Sequence, residues 1–171
     1  MSMQKSLKIG GIGEDRVINM LRSVGITTSK NDDKETREFY DLACEYDGVN
    51  FTCEVKFDVM SEKTGNVAIE VFNSKSNKPS GIFGTKADIW IHVLPDDSNL
   101  VVCICSVKKI RQYSREATPF RILKSVGDNN ADLILYKVED VLENLFNRID
   151  NIGNDEILKT VKKLVGNKKW Q

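Results

Sequence analysis

The dipeptide Asp47-Gly48 constrains this chain more than any other feature, because it is a preferred two-residue hairpin turn set between runs rich in aromatic and β-branched residues. The pattern predicts a β-hairpin over residues 38–57. A two-residue turn also fixes the register: Tyr46 faces Val49, and stepping outward sets Asp41 opposite Glu54. One face of the hairpin then carries Tyr40, Leu42, Cys44, Tyr46, Val49, Phe51, Cys53 and Val55, an unbroken apolar surface fit for a core. The other face carries Phe39, Asp41, Ala43, Glu45, Asn50, Thr52, Glu54 and Lys56.

Upstream, Val17, Ile18, Leu21 and Val24 form one stripe of a helix over Gly13 to Val24 that stops at Gly25. Glu14 falls on that stripe, either favoured there by the helix dipole or available to a site. Gly10-Gly11-Ile12-Gly13 lacks the Lys-Ser or Lys-Thr ending of a phosphate-binding loop and reads as a flexible lead-in to the helix. Downstream, Asn66 to Phe72 alternates, and with Val67, Ile69 and Val71 in the core, Glu70 projects on the side of Asp41 and Glu54. Ile89–Leu94 and Leu100–Cys105 read as a second strand pair, and Ser106 as the start of a basic helix. Phe120–Val126 and Ala131–Tyr136 read as short strands around Asp128-Asn129-Asn130. One apolar stripe from Val138 to Ile149 and another from Ile157 to Val165 predict two closing helices, separated at Gly153-Asn154.

With 171 residues, 40% hydrophobic and 29% charged, the chain suits one domain, 1–171, with a core of about 11–137 and a C-terminal helical extension of about 138–171. Mixed strands and helices predict a layered α/β fold with a central mixed sheet flanked by helices. No apolar run approaches bilayer length and no secretory signal opens the chain, so no membrane is expected and the cytosol is the expected compartment. Cys44, Cys53, Cys103 and Cys105 show no C-x-x-C spacing, which favours buried thiols in a reducing environment. Trp90 reads as core and Trp170 as disordered or bound at an interface, while His92, the one histidine, excludes a multi-histidine metal centre.

Lysine plus arginine equals aspartate plus glutamate at 25 each, so net charge does not hold this protein to nucleic acid. Acids concentrate between Lys30 and Asp58, whereas bases dominate from Lys75 to Lys124 and again near the C-terminus. Two carboxylates opposed across a strand pair sit about 5 Å apart at Cβ and repel unless a cation lies between them. Asp41 and Glu54 are such a pair, and Mg²⁺ is often held by one or two carboxylates with water and phosphate completing its shell. Glu70 offers a third ligand, and alternation puts Lys56 on the face of Glu54. The alternative is a solvated sheet face on which Lys56 simply neutralises Glu54.

The ordered set of a helix bearing Glu14, a strand with Asp41, Glu54-Val55-Lys56 and a third strand with Glu70 resembles the PD-(D/E)XK nuclease superfamily. Within it, the chain most resembles the small Holliday-junction resolvase-like nucleases of archaea and phages, over roughly Gly11 to Cys105. Lys78-Pro79-Ser80-Gly81-Ile82 and Thr85-Lys86-Ala87-Asp88-Ile89-Trp90 look like a segment of the phage members. The family's proline before the aspartate is Tyr40 here. The resemblance implies a Mg²⁺-dependent endonuclease, with Mn²⁺ as a substitute, acting on branched or four-way-junction DNA in recombination as a homodimer. It implies metal binding by Asp41, Glu54 and the Val55 carbonyl, assistance to the nucleophile by Lys56, and a helix-borne acid in Glu14. Ser80, Thr85 and Lys86 would contact the DNA backbone. The competing functions are an exonuclease or structure-nonspecific nuclease, and a catalytically silent DNA-binding module of the same fold.

Overall fold

The computed structural model describes residues 3–96, 99–127, 130–149 and 154–166. Two sheets share the chain. The larger has six strands in the order β1 (Thr27–Lys30), β2 (Leu42–Tyr46), β3 (Val49–Phe57), β6 (Ile89–Asp96), β7 (Asn99–Ser106) and β10 (Asn147–Ile149). The smaller runs β5 (Lys78–Pro79), β4 (Asn66–Asn73), β9 (Ala131–Lys137) and β8 (Arg121–Val126). Among the described residues only β3 and β6 pair in parallel, so the central sheet is mixed; the four-stranded sheet is antiparallel throughout.

Alternation along the central strands sorts their side chains into two cores. Phe51, Cys53, Ile89, Ile91, Val93, Val102 and Ile104 meet α1 (Met3–Ser23) and α5 (Asn154–Val165). Trp90, Leu94, Val101, Cys103 and Cys105 point the other way, onto the smaller sheet, α3 (Val107–Glu116) and α4 (Val138–Asn144). The result is a helix layer, a central sheet, and a layer of sheet plus helices. The short α2 (Ser61–Thr64) and a 3-10 turn at Gly81–Phe83 lie in the connections flanking β4. No helix among the described residues is long and apolar enough to cross a membrane.

The hairpin forms as its turn dictates. Asp47 and Gly48 both take positive φ, 51° and 75°, and Tyr46↔Val49 through Leu42↔Cys53 follow the expected register. Ser106 caps α3 by accepting the Lys109 N–H at 3.1 Å. Cys103 and Cys105 share a face, all four cysteines are buried thiols, and Trp90 is core.

Several expectations are corrected. Strand β2 starts at Leu42, and residues 34–39 form turns instead of extending the hairpin back to 38. The stretch Gly10-Gly11-Ile12-Gly13 is helical, not a lead-in, since α1 begins at Met3. Strand β4 sits in the second sheet, where Val67 and Ile69 face the second core. The stripe from Val138 breaks at Asn144, and Asn147–Ile149 becomes an edge strand of the central sheet. Together with Ile157, Val161 and Val165 of α5, that strand builds the C-terminal segment into the core instead of appending it. The Asp128-Asn129 turn, Gly153 and Trp170 lie outside the described residues.

Gly13 has a packing reason. A Cβ added there would lie 2.7 Å from the Cβ of Phe57, so α1 crosses β3 at a distance only hydrogen permits. Gly13→Val should therefore cost about 2 kcal/mol and lower Tm by roughly 4–8 °C, although valine has the higher helix propensity. Asn19→Val, on the exposed side of the same helix, should move Tm much less. Equal thermal shifts for the two variants would show that α1 does not approach β3 so closely.

Candidate active site

Beyond Leu42↔Cys53 the regular hairpin ladder ends. Asp41 is not the ladder partner of Glu54. Its N–H donates to the Cys53 carbonyl at 3.0 Å, and its Oδ2 accepts the Val55 N–H at 2.8 Å. The carboxylate thus takes the place on the β3 edge that β2 has vacated. Because N–H and C=O of one strand residue point to the same edge, the Val55 carbonyl opens beside Asp41. The backbone before Asp41 is pinned by its carbonyls: Asp41 accepts the Asn31 N–H at 2.8 Å, Tyr40 the Asn31 side-chain amide at 3.0 Å, and Phe39 the Lys86 N–H at 2.7 Å.

Glu54 and Lys56 project from the same face of β3, the face turned toward the second sheet, while Val55 and Phe57 pack on the first core. The Glu54 Oε2 lies 2.9 Å from the Thr85 hydroxyl, whose oxygen is also 2.8 Å from the Phe39 carbonyl and accepts the Ala87 N–H at 3.1 Å. A hydroxyl has one proton, so Thr85 serves either Glu54 or Phe39 while Glu54 is ionised. Protonated Glu54 satisfies the set, donating to Thr85 while Thr85 donates to Phe39.

The electrostatics agree with that crowding. Burial first, then the nearby Asp41 charge, push Glu54 up to about 8, with Glu70 adding to the shift and Thr85 and Lys56 opposing it. Burial likewise raises Asp41 to about 6, against the Val55 N–H and the Lys56 charge and with help from Glu14. Lys56 influences both acids, yet among the described residues no carboxylate lies within ion-pair distance of its ammonium. The site carries more negative charge than its own cation offsets.

The remaining predicted residues are distributed around this centre. Glu14 is half-buried on α1, close enough to raise Asp41, and pairs with Lys30 at 3.3 Å, which also holds Asp15 at 2.9 Å. Glu70 acts on Glu54 through its charge, and its backbone is crossed by Gly81, where an added Cβ would fall 2.2 Å from the Glu70 carbonyl oxygen. Ser80 lines a cleft of ≈ 490 Å³ with Glu54, Lys78 and Thr85, and its buried Oγ has no hydrogen-bond partner among the described residues. Thr85 is 3% exposed and turned inward, so it is a partner of Glu54 and not a contact for DNA. Lys86 is exposed, but its ammonium rests 3.5 Å from the centroid of the Phe39 ring.

A divalent ion fits this donor set. Asp41 Oδ1 and Glu54 Oε1 accept no hydrogen bond among the described residues, and burial first, with the neighbouring acids, drives both toward protonation. Among the described residues no three His, Cys, Asp or Glu side chains gather closely enough to hold an ion alone. Two carboxylates and a carbonyl are the donors at hand, a number that suits Mg²⁺ completed by water and phosphate.

Neither a protein-family profile nor a curated protein matches this chain. Among solved structures it is similar to a bacterial homing endonuclease, I-Ssp6803I, with 19% identity, a TM-score of 0.49, and coverage of 70% of this chain and 86% of that one.

Proposed function

We propose that this chain is a metal-dependent nuclease of the PD-(D/E)XK kind that hydrolyses phosphodiester bonds in DNA. Its substrate is branched, four-way-junction DNA, its cofactor is Mg²⁺ with Mn²⁺ as a substitute, and it acts as a homodimer whose two sites match the symmetry of a junction. The observation that carries the reading is the pair of carboxylate oxygens, Asp41 Oδ1 and Glu54 Oε1, that accept no hydrogen bond among the described residues, beside a lysine whose ammonium lies within ion-pair distance of no acid among them. A divalent ion held there would supply Lewis-acid polarisation of the phosphoryl group and would offset charge on the leaving oxygen. Asp41, Glu54 and the Val55 carbonyl hold the cation, with Glu70 reinforcing the negative field. Lys56 orients the attacking water and donates to a phosphate oxygen. Ser80 lines the same cleft as Glu54, and its buried, unpartnered hydroxyl becomes a donor to the backbone of the bound strand once the strand reaches it. Glu14, steadied by Lys30, keeps the Asp41 side of the site acidic.

The test is a matched set of four-way junction, linear duplex, flap and single-stranded DNA, incubated with Mg²⁺ or with chelator. Metal-dependent cleavage of the junction in preference to the others is expected. Equal cleavage of linear duplex would replace the resolvase with a structure-nonspecific nuclease. Binding without cleavage of any substrate would leave only a binding module.

A further inference from the structure

Arg111 lies on α3, and its guanidinium engages main-chain carbonyls of the segment that begins in the 3-10 turn, with no acid in ion-pair distance among the described residues. Its Nε donates to the Ile82 carbonyl at 2.6 Å and its Nη2 to the Thr85 carbonyl at 2.5 Å. One turn along the helix, the Arg115 guanidinium lies 5.5 Å from the centroid of the Phe83 ring, so both cations grip the same four-residue segment. Desolvation, with a smaller contribution from Arg115, lowers the Arg111 pKa. A charged fork bound to two carbonyls fixes the peptide planes that carry them, because its donors are rigid and coplanar.

With the Thr85 N–H donating to the Gly81 carbonyl at 2.9 Å, fixing the Thr85 carbonyl holds both peptide planes that flank its Cα and so the direction of its Cα–Cβ bond, while the Phe39 carbonyl and the Ala87 N–H select the rotamer of its hydroxyl. That hydroxyl touches both halves of the site: Glu54 Oε2 on β3, and the carbonyl of Phe39, two residues before Asp41. We propose that Arg111 is a positioning residue for the metal centre, acting through Thr85 to hold Glu54 in the rotamer that, with Asp41, receives the cation. The inference rests on the nuclease reading. Residues that orient metal ligands from behind change metal affinity by about 10–100-fold when lost.

The experiment measures Mn²⁺ binding to the full chain by calorimetry, without DNA, for wild type, Arg111→Gln, Arg111→Lys, Thr85→Val and the Arg111→Gln/Thr85→Val double variant. Tm and far-UV circular dichroism are recorded for each. Arg111→Gln and Thr85→Val should each weaken Mn²⁺ about tenfold, and the double variant no more than either, since one residue acts through the other. Arg111→Lys keeps the charge but only part of the fork, and should recover part of the loss. On DNA, the Mg²⁺ concentration giving half-maximal cleavage should rise more than the rate at saturating Mg²⁺ falls. Wild-type Mn²⁺ affinity in folded Arg111→Gln, or additive losses in the double variant, would overturn the positioning role and leave the nuclease reading standing. If Arg111→Gln does not fold, full wild-type affinity in folded Arg111→Lys and Thr85→Val overturns it equally. Absence of both Mn²⁺ binding and cleavage in the wild type would sink the nuclease reading and this inference with it.

Discussion

Lys56→Ala is expected to lower single-turnover cleavage of a four-way junction by about 10²–10⁴-fold, while junction affinity falls only a few-fold. Lys56 is the cation on the face of Glu54, and it lowers the pKa of both Asp41 and Glu54. Its loss removes a donor at the reacting group and lets both acids shift further upward. The pH at which residual activity is half-maximal should therefore move to higher values, an effect that mere loss of a phosphate contact would not produce. Overall binding is less sensitive, because other exposed cations remain, Lys78 among them in the cleft that Ser80 lines. Lys56→Arg should restore charge without restoring full rate, since a planar fork does not substitute for a compact ammonium. Full cleavage by Lys56→Ala would reject the catalytic assignment.

Asp41→Asn and Glu54→Gln should abolish detectable cleavage while stabilising the metal-free protein at pH 8. The sign follows from the direction of the shifts. Asp41 is raised from 3.8 to about 6 and Glu54 from 4.5 to about 8, so the folded state binds more protons than the unfolded one between those limits. Stability of the metal-free chain is least burdened below about pH 4 by these two groups, and falls as pH rises through 6 and 8. Replacing Glu54 with its neutral isostere should remove the larger part of that fall and raise Tm at pH 8 by roughly 2–5 °C. Mg²⁺ or Mn²⁺ should raise the wild-type Tm more at pH 8 than at pH 5.5, because cation and protons compete for the same oxygens. Both variants should lose most of that response. An equal metal-induced shift in wild type and variants, or one independent of pH, would place the ion elsewhere.

What the sequence made legible was local. The Asp47-Gly48 turn fixed the β2–β3 pairing because a two-residue loop leaves one register, and the alternation of Val49 to Phe57 put Glu54 and Lys56 on one face. The departure of Asp41 from the ladder was not legible, since it depends on where Asn31 and Val55 stand in three dimensions. Strands β1 and β10 have four and three residues, too few for an alternation to register. Helix α1 runs through three glycines that propensity argues against, one of them required by Phe57 across the layer. Thr85 lay in a segment whose resemblance suggested DNA contact, and only burial exposed its service to Glu54. Arg111 gave no signal beyond its place in a basic helix.

The parallel junction of β3 with β6 separates, in time, the making of this site from its enclosure. Asp41 and Glu54 are brought near by a hairpin, and hairpins close in about 1–10 μs. Ile89, which pairs with Cys53, arrives only after the chain has crossed over residues 58–88, and Thr85 arrives with it. Loop closure of that length is the slower event. The acids therefore meet while still hydrated, where their repulsion is weak, and the cost of stripping water from Glu54 falls on the later, non-local step. The desolvation that raises Glu54 therefore comes with the non-local packing that brings Thr85 to it, and not with the hairpin that carries the acid.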